Sequence, residues 1–231
     1  MELSRCSTKE LKRAKFGGKN MAYTLEQIKQ DVAQYDSRQF YLKYIVRSDN
    51  WYFENVLNYS LAEIVKATDD FRMTVSESLG ISFNSIMIVG SSKIGYSLSP
   101  TEKMFLPFSV DGDKRAVSDI DVAIISSDLF MKFWWLFRKS YSSKYAYFYK
   151  DIYNEIYRGY INEKYINRVD ECRREWTDIA SVSKKKVAEQ LFMKHEITYR
   201  IYRSWEDFEE YNLKNIEKIR IKMTEVGNGT I

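Results

Sequence analysis

The chain has 231 residues, a net charge of +4, 45% hydrophobic residues and 16% aromatic residues, enough length and apolar content for one sizeable domain with a packed core. The only cysteines, Cys6 and Cys172, lie far apart without metal-site spacing, which excludes a disulfide framework and a zinc site. No apolar run reaches membrane-spanning length, and the first residues carry charges where a signal peptide requires its apolar stretch, so the expected setting is the cytoplasm, away from membranes.

Residues 1–20 hold six Lys or Arg against two acids and so carry the whole net charge. This segment reads as a basic, flexible leader, with Gly17-Gly18 and a second possible start at Met21, ahead of one domain over 21–231. From Thr24 to Val46 the apolar spacing predicts two short helices interrupted near Asp36-Ser37. Ser48-Asp49 is expected to cap a longer helix through about Thr68, burying Trp51, Val56, Leu57, Leu61, Ile64 and Val65. A further helix from Asp69 or Asp70 should end at Gly80 and deliver the chain to a strand.

That strand, Ile86 to Val89, is a short apolar run closed by Gly90, Ser91 and Ser92. Glycine allows close backbone approach, and the two hydroxyls join the free N–H groups of a helix starting near Lys93, a combination suited to phosphate. A loop over Ser99 to Val117 follows, with Pro100, Pro107 and the turn-like Asp111-Gly112-Asp113. Then Asp119-Ile-Asp-Val-Ala-Ile-Ile125 alternates with period two, which puts Asp119 and Asp121 on one face of a strand and Ile120, Val122 and Ile124 on the other. Two adjacent carboxylates repel. A divalent cation offsets that repulsion, and magnesium takes carboxylate and phosphate oxygens together.

Gly90-Ser91 followed by Ser118-Asp119-Ile120-Asp121-Val122 resembles the signature of the DNA polymerase β-type nucleotidyltransferases, in which one strand ends in Gly-Ser and the next carries Asp-x-Asp. The resemblance covers about forty residues and departs from the compact pattern by the long loop between its halves. It implies an α/β fold, a small mixed sheet with N-terminal helices and a helical insertion or extension, the sheet core lying in about 81–126 and 194–205. It also implies a third acid on a later strand, which binds metal and accepts the attacking hydroxyl's proton.

After Ser126 the chain reads as mostly helical to about Met193, with Asp128 a candidate cap. The aromatic run Phe130 to Phe137 must be buried or oligomeric. Eight tyrosines between Tyr141 and Tyr165 either line an amphipathic helix that buries rings and exposes hydroxyls, or form stacking platforms between basic residues such as Lys144, Lys150, Arg158 and Lys164. Lys184-Lys185-Lys186, just after Ser181 and Ser183, starts a helix ending near Phe192, as a solvated face or a triphosphate clamp. His195 to Arg203 returns to strand alternation, with Ile197, Tyr199 and Ile201 opposite Glu196, Thr198, Arg200 and Tyr202. Glu196 is the candidate third acid; if Glu196 points elsewhere, Asp207 or Asp151 serves or the third acid is absent. His195 reads as a strand-edge residue, since the chemistry needs no imidazole. Glu206 to Glu225 closes the chain as an amphipathic helix.

The resemblance thus implies transfer of a nucleoside monophosphate from an NTP or dNTP to a hydroxyl of a nucleic acid, nucleotide or protein, releasing pyrophosphate. Mg²⁺ or Mn²⁺ would be held by Asp119, Asp121 and Glu196, and the nucleotide by Gly90, Ser91, Ser92, Lys93, Lys184 and Lys185. A template-independent polymerase or oligonucleotide synthase of a bacterial defence or toxin system is one version; a decayed nucleotide-binding regulatory or interaction protein is the alternative. The aromatic helices offer a surface for a protein partner or a second copy.

Overall fold

A computed structural model describes residues 23–101, 103–111 and 117–227; the expectations for residues 1–20, Met21, Gly112 and Asp113 lie outside the described residues. The chain begins with α1 (Leu25–Gln34) and α2 (Ser37–Tyr41), each opened by a capping box, Thr24 with Gln27 and Asp36 with Gln39. The second continues into a π-helical turn over Leu42–Val46.

The next stretch differs from the expected pair of helices. Asn50, not Ser48-Asp49, caps α3 (Trp51–Asn55), which stops after little more than a turn. Asn58 takes a φ of 55°, and the Ser60–Glu63 capping box then starts α4 (Leu61–Leu79). That helix runs straight through Asp69 and Asp70, because the stripe Ile64, Ala67, Phe71, Val75 and Leu79 stays on one buried side. Leu61 and Val65, expected inside, are exposed. Gly80 ends α4 in the left-handed conformation, as its type and place predict.

Four strands form one mixed sheet: β1 (Ile86–Val89), β2 (Ile120–Ile125), β3 (Tyr160–Asn162) and β4 (Ile197–Tyr202), in the order β1-β2-β4-β3. The central pair, β2 and β4, is parallel with Asp121 opposite Thr198; β1 and β3 flank it antiparallel. Between the strands lie α5 (Ser91–Ile94), α6 (Ser127–Lys139), α7 (Ala146–Tyr157), α8 (Glu163–Ile166) and α9 (Asp170–Leu191), and α10 (Trp205–Gly227) follows β4. Ser126, rather than Asp128, caps α6. Strand β3 lies outside the expected sheet segments; three residues after the positive-φ turn at Gly159 are too few for a period-two signal. The triple lysine lies inside α9 and does not start a helix.

The sheet separates two apolar layers. Ile86, Ile88, Ile120, Val122, Ile124, Ile197, Tyr199 and Ile201 pack with α3, α4, α6 and α9. Met87, Ala123, Ile125, Tyr160 and Tyr202 pack on the other face with α1, α2 and α10. Each fully buried large side chain, such as Phe71 or Phe133, contributes about 1.5–3 kcal/mol relative to exposure. Within α6, Phe130, Phe133 and Phe137 are buried while Trp135 is exposed; of the tyrosines, Tyr145, Tyr160 and Tyr165 are buried and Tyr141, Tyr147, Tyr153 and Tyr157 are exposed. Among the described residues no helix is long and apolar enough to cross a membrane.

Candidate functional site

The second layer covers the Ala123–Ile125 end of β2 and leaves its Asp121 end facing open space. There a pocket of about 910 Å³ is lined by Gly90 and Ser91 of the turn after β1, Asp119 and Asp121, Glu196, Thr198 and Arg200, Lys184 from α9, and Asn212 and Asn215 from α10. The turn and the acidic strand touch. Gly90 has a φ of 71°, and a Cβ built on it would lie 3.1 Å from Cγ of Asp121 and nearer still to Oδ2. Only glycine fits, on grounds of conformation and of space.

The Thr198 hydroxyl lies 3.0 Å from Oδ2 of Asp119 and 3.4 Å from Oδ1 of Asp121. Burial and the charge of Asp119 push the Asp121 carboxyl up to about 6, against the lowering pull of Arg200 and Thr198. Among the described residues neither aspartate is in an ion pair. Closely set hard oxygens in no direct ion pair are a donor set that fits a hard divalent cation.

The other sequence-expected residues divide. Lys184 reaches the pocket wall, its Nζ 2.8 Å from Oε1 of Glu163. Lys185 does not: its side chain is 77% exposed and turns toward Glu189, one helical turn on. Ser92 is fully buried and donates to the Val89 carbonyl at 3.0 Å, so its hydroxyl is spent inside the turn. Lys93 is buried and donates its amine to the carbonyls of Arg47 and Asp49, tying the turn to the N-terminal helices instead of offering charge to a phosphate; burial lowers its pKa to about 8. Glu196 is exposed at the rim, and its backbone carbonyl accepts the Ile120 N–H at 2.7 Å. Among the described residues no three His, Cys, Asp or Glu side chains gather closely enough to hold a metal ion. The substitutes for Glu196 are committed elsewhere, Asp207 to Arg203 at 2.7 and 2.8 Å and Asp151 to the Tyr165 hydroxyl at 2.9 Å. His195 joins the Tyr52 hydroxyl at 2.8 Å and the Val110 carbonyl at 3.2 Å, a structural role.

Two site features were not assigned from the sequence. Thr198 and Arg200 share the acids' face by the alternation already read in β4, a signal present but not used. Glu163 had no such signal. It is 5% exposed and accepts from Trp176 Nε1 at 2.8 Å and from the Tyr199 N–H at 2.9 Å in addition to Lys184, so one buried carboxylate ties α8, α9 and β4 together beside the pocket.

The fold and site define an α/β protein with a small mixed sheet whose open face carries an acidic pair against a glycine turn. Compared with known proteins, the chain matches no family model, no curated protein and no solved structure.

Proposed function

We propose that the protein is a metal-dependent nucleotidyltransferase with a sheet of the nucleotidyltransferase type, transferring a nucleoside monophosphate from an NTP or dNTP to an acceptor hydroxyl. The observation that carries this reading is the packing of Gly90 directly on the Asp121 carboxylate, which sets the glycine turn against an acidic pair. Asp119 and Asp121 are the residues that would hold Mg²⁺ or Mn²⁺; Glu196 stands at the rim of the same pocket and does not close with them into a three-carboxylate group. When bound, the cation supplies charge neutralisation and orientation of phosphate oxygens.

The chain's own residues supply the rest. Gly90 admits the triphosphate close to the backbone, and Ser91 offers a hydroxyl to it. Lys184, held by Glu163, places a fixed positive charge at the wall where the leaving pyrophosphate gains charge. An acceptor oxygen attacks the α-phosphorus, the bond from that phosphorus to the β-phosphate's bridging oxygen breaks, and the hydroxyl proton passes to a carboxylate of the set or to water.

The experiment is incubation of the full chain with each labelled NTP and dNTP, Mg²⁺ or Mn²⁺, and candidate acceptors, with analysis of products. Label transfer and pyrophosphate release, both lost in Asp119→Ala, support the reading; no transfer from any nucleotide overturns it. One observation favours a second reading, a decayed nucleotide-binding regulatory protein: among the described residues no third carboxylate closes on the pair. That protein binds a nucleotide in the same assay and transfers nothing.

A further inference from the structure

The tyrosine-rich helix α7 has an outer side that no other described element covers. Its inner side buries Ile152, with Phe148, Tyr149 and Ile156 packed beside it on the core. Tyr147, Lys150, Asp151, Tyr153, Asn154 and Tyr157 are exposed, and at about 3.6 residues per turn they fall on one arc of roughly 160°. Tyr147 is 87% exposed, Tyr153 66% and Tyr157 80%. Tyr141, 76% exposed, stacks at 4.8 Å on Tyr149, the ring that borders this arc. Each of these exposed rings offers roughly 150 Å² of surface. Together with the polar groups between them they approach the roughly 800 Å² per partner of a standard interface. Tyr153 and Tyr157 already stack on each other, centroids 6.2 Å apart, so they lose little side-chain freedom on association.

The face is self-complementary. Reversed about Ile152, it maps onto itself: Tyr147 falls level with Tyr157, Lys150 with Asn154, and Asp151 with Tyr153. A second α7 running antiparallel therefore sets ring beside ring, ammonium against amide oxygen and carboxylate against phenol hydroxyl, so that donors meet acceptors throughout. Asp151 Oδ2 accepts from the Tyr165 hydroxyl at 2.9 Å, which orients the carboxylate and leaves Oδ1 for a second donor. Lys150 of one copy stands one residue along from Asp151 of the other, and the two charges balance across the axis. That balance disfavours a nucleic-acid strand on the same face, since an acid accompanies its lysine and two of its rings are already stacked on each other.

We propose that α7 is the contact face of a homodimer, the two copies related by a twofold axis level with Ile152, with Tyr147 of each copy beside Tyr157 of the other. The dimer is independent of the chemistry of the acidic pocket, whose lining includes no residue of α7.

Sedimentation equilibrium of the full chain over a concentration series should show reversible dimerisation. Tyr147→Ser and Tyr157→Ser should each weaken it at least about tenfold, and neither should shift the thermal melt of the monomer, because both rings lie on the surface. Cross-linking reads the register in a Cys6→Ser background, where the remaining Cys172 is buried. A bismaleimide spanning about 10 Å, the separation of packed helix axes, should join a Tyr147→Cys chain to a Tyr157→Cys chain. Either variant alone should stay uncoupled, since the two copies of position 147 lie about 15 Å apart along the helices. A chain that is monomeric at every concentration overturns the proposal, whether its α7 face then binds an oligothymidylate or another protein. A dimer indifferent to both tyrosine changes overturns it as well, as does a cross-link between two Tyr147→Cys chains.

Discussion

The α-carbon of Gly90 is so close to the Asp121 side chain that a methyl group on it would collide with the carboxylate. Its backbone, at φ 71° and ψ −155°, lies in a region that only glycine occupies readily. Gly90→Ala should therefore cost about 1–3 kcal/mol in backbone strain alone, with a further cost from displacing Asp121. A denaturant melt measures the first effect and nucleotide affinity the second. A variant with wild-type stability and affinity would mean that the turn and the acidic strand are not locked together.

The acid pair yields a pH prediction with a definite sign. Asp121 rises from an ordinary carboxyl value of 3.8 to about 6 in the fold. The folded state therefore holds this proton more tightly than the unfolded chain, and the stability linked to it is present below about pH 4 and lost as pH rises through about 6. At pH 7 the metal-free Asp121→Asn protein should be more stable than wild type, by about 1–3 kcal/mol, and the gap should close toward pH 4. Mg²⁺ should raise the melting temperature of wild type and not that of the variant, which should also lose transfer. Parallel thermal melts at pH 4, 5.5 and 7, with and without Mg²⁺, check all of this, and a variant less stable than wild type at pH 7 refutes it.

Glu163 should behave as a stability residue and Lys184 as a charge at the wall. Removing Glu163 strands the Trp176 N–H, the Tyr199 N–H and the Lys184 amine together. Glu163→Ala should cost about 3 kcal/mol or more, and Glu163→Gln clearly less, because the amide still accepts from one donor. Lys184→Met should lower pyrophosphate-releasing turnover more than it lowers the urea midpoint. An Ala variant within about 0.5 kcal/mol of wild type would remove Glu163 from this role.

Lys93 supplies the opposite contrast. Its amine serves the carbonyls of Arg47 and Asp49, and burial lowers its pKa from 10.5 to about 8. The unfolded chain binds this proton more tightly, so stability linked to Lys93 should rise as pH increases from about 8 to 10.5, and Lys93→Met should abolish that rise. Nucleotide affinity should stay within about twofold in the variant. A loss of tenfold or more would return Lys93 to the phosphate site.

Much of this protein was legible locally. Alternation of period two set Asp119 and Asp121 on one face of their strand and Glu196, Thr198 and Arg200 on one face of theirs, and Gly80 marked a helix end, because these features depend only on residues a few positions apart. The resemblance at Gly90-Ser91 and Asp119-x-Asp121 marked which segments should meet. Tertiary structure alone decided that β2 pairs in parallel with β4, that three residues after Gly159 close the sheet's edge, and which lysine serves which oxygen. Lys93, Lys184 and Lys185 carry the same charge in the sequence; one ends on backbone carbonyls, one on the buried Glu163 and one beside Glu189 in solvent. A long side chain's destination is set by the acceptors that distant segments bring within its reach, and those depend on the packing of the whole chain.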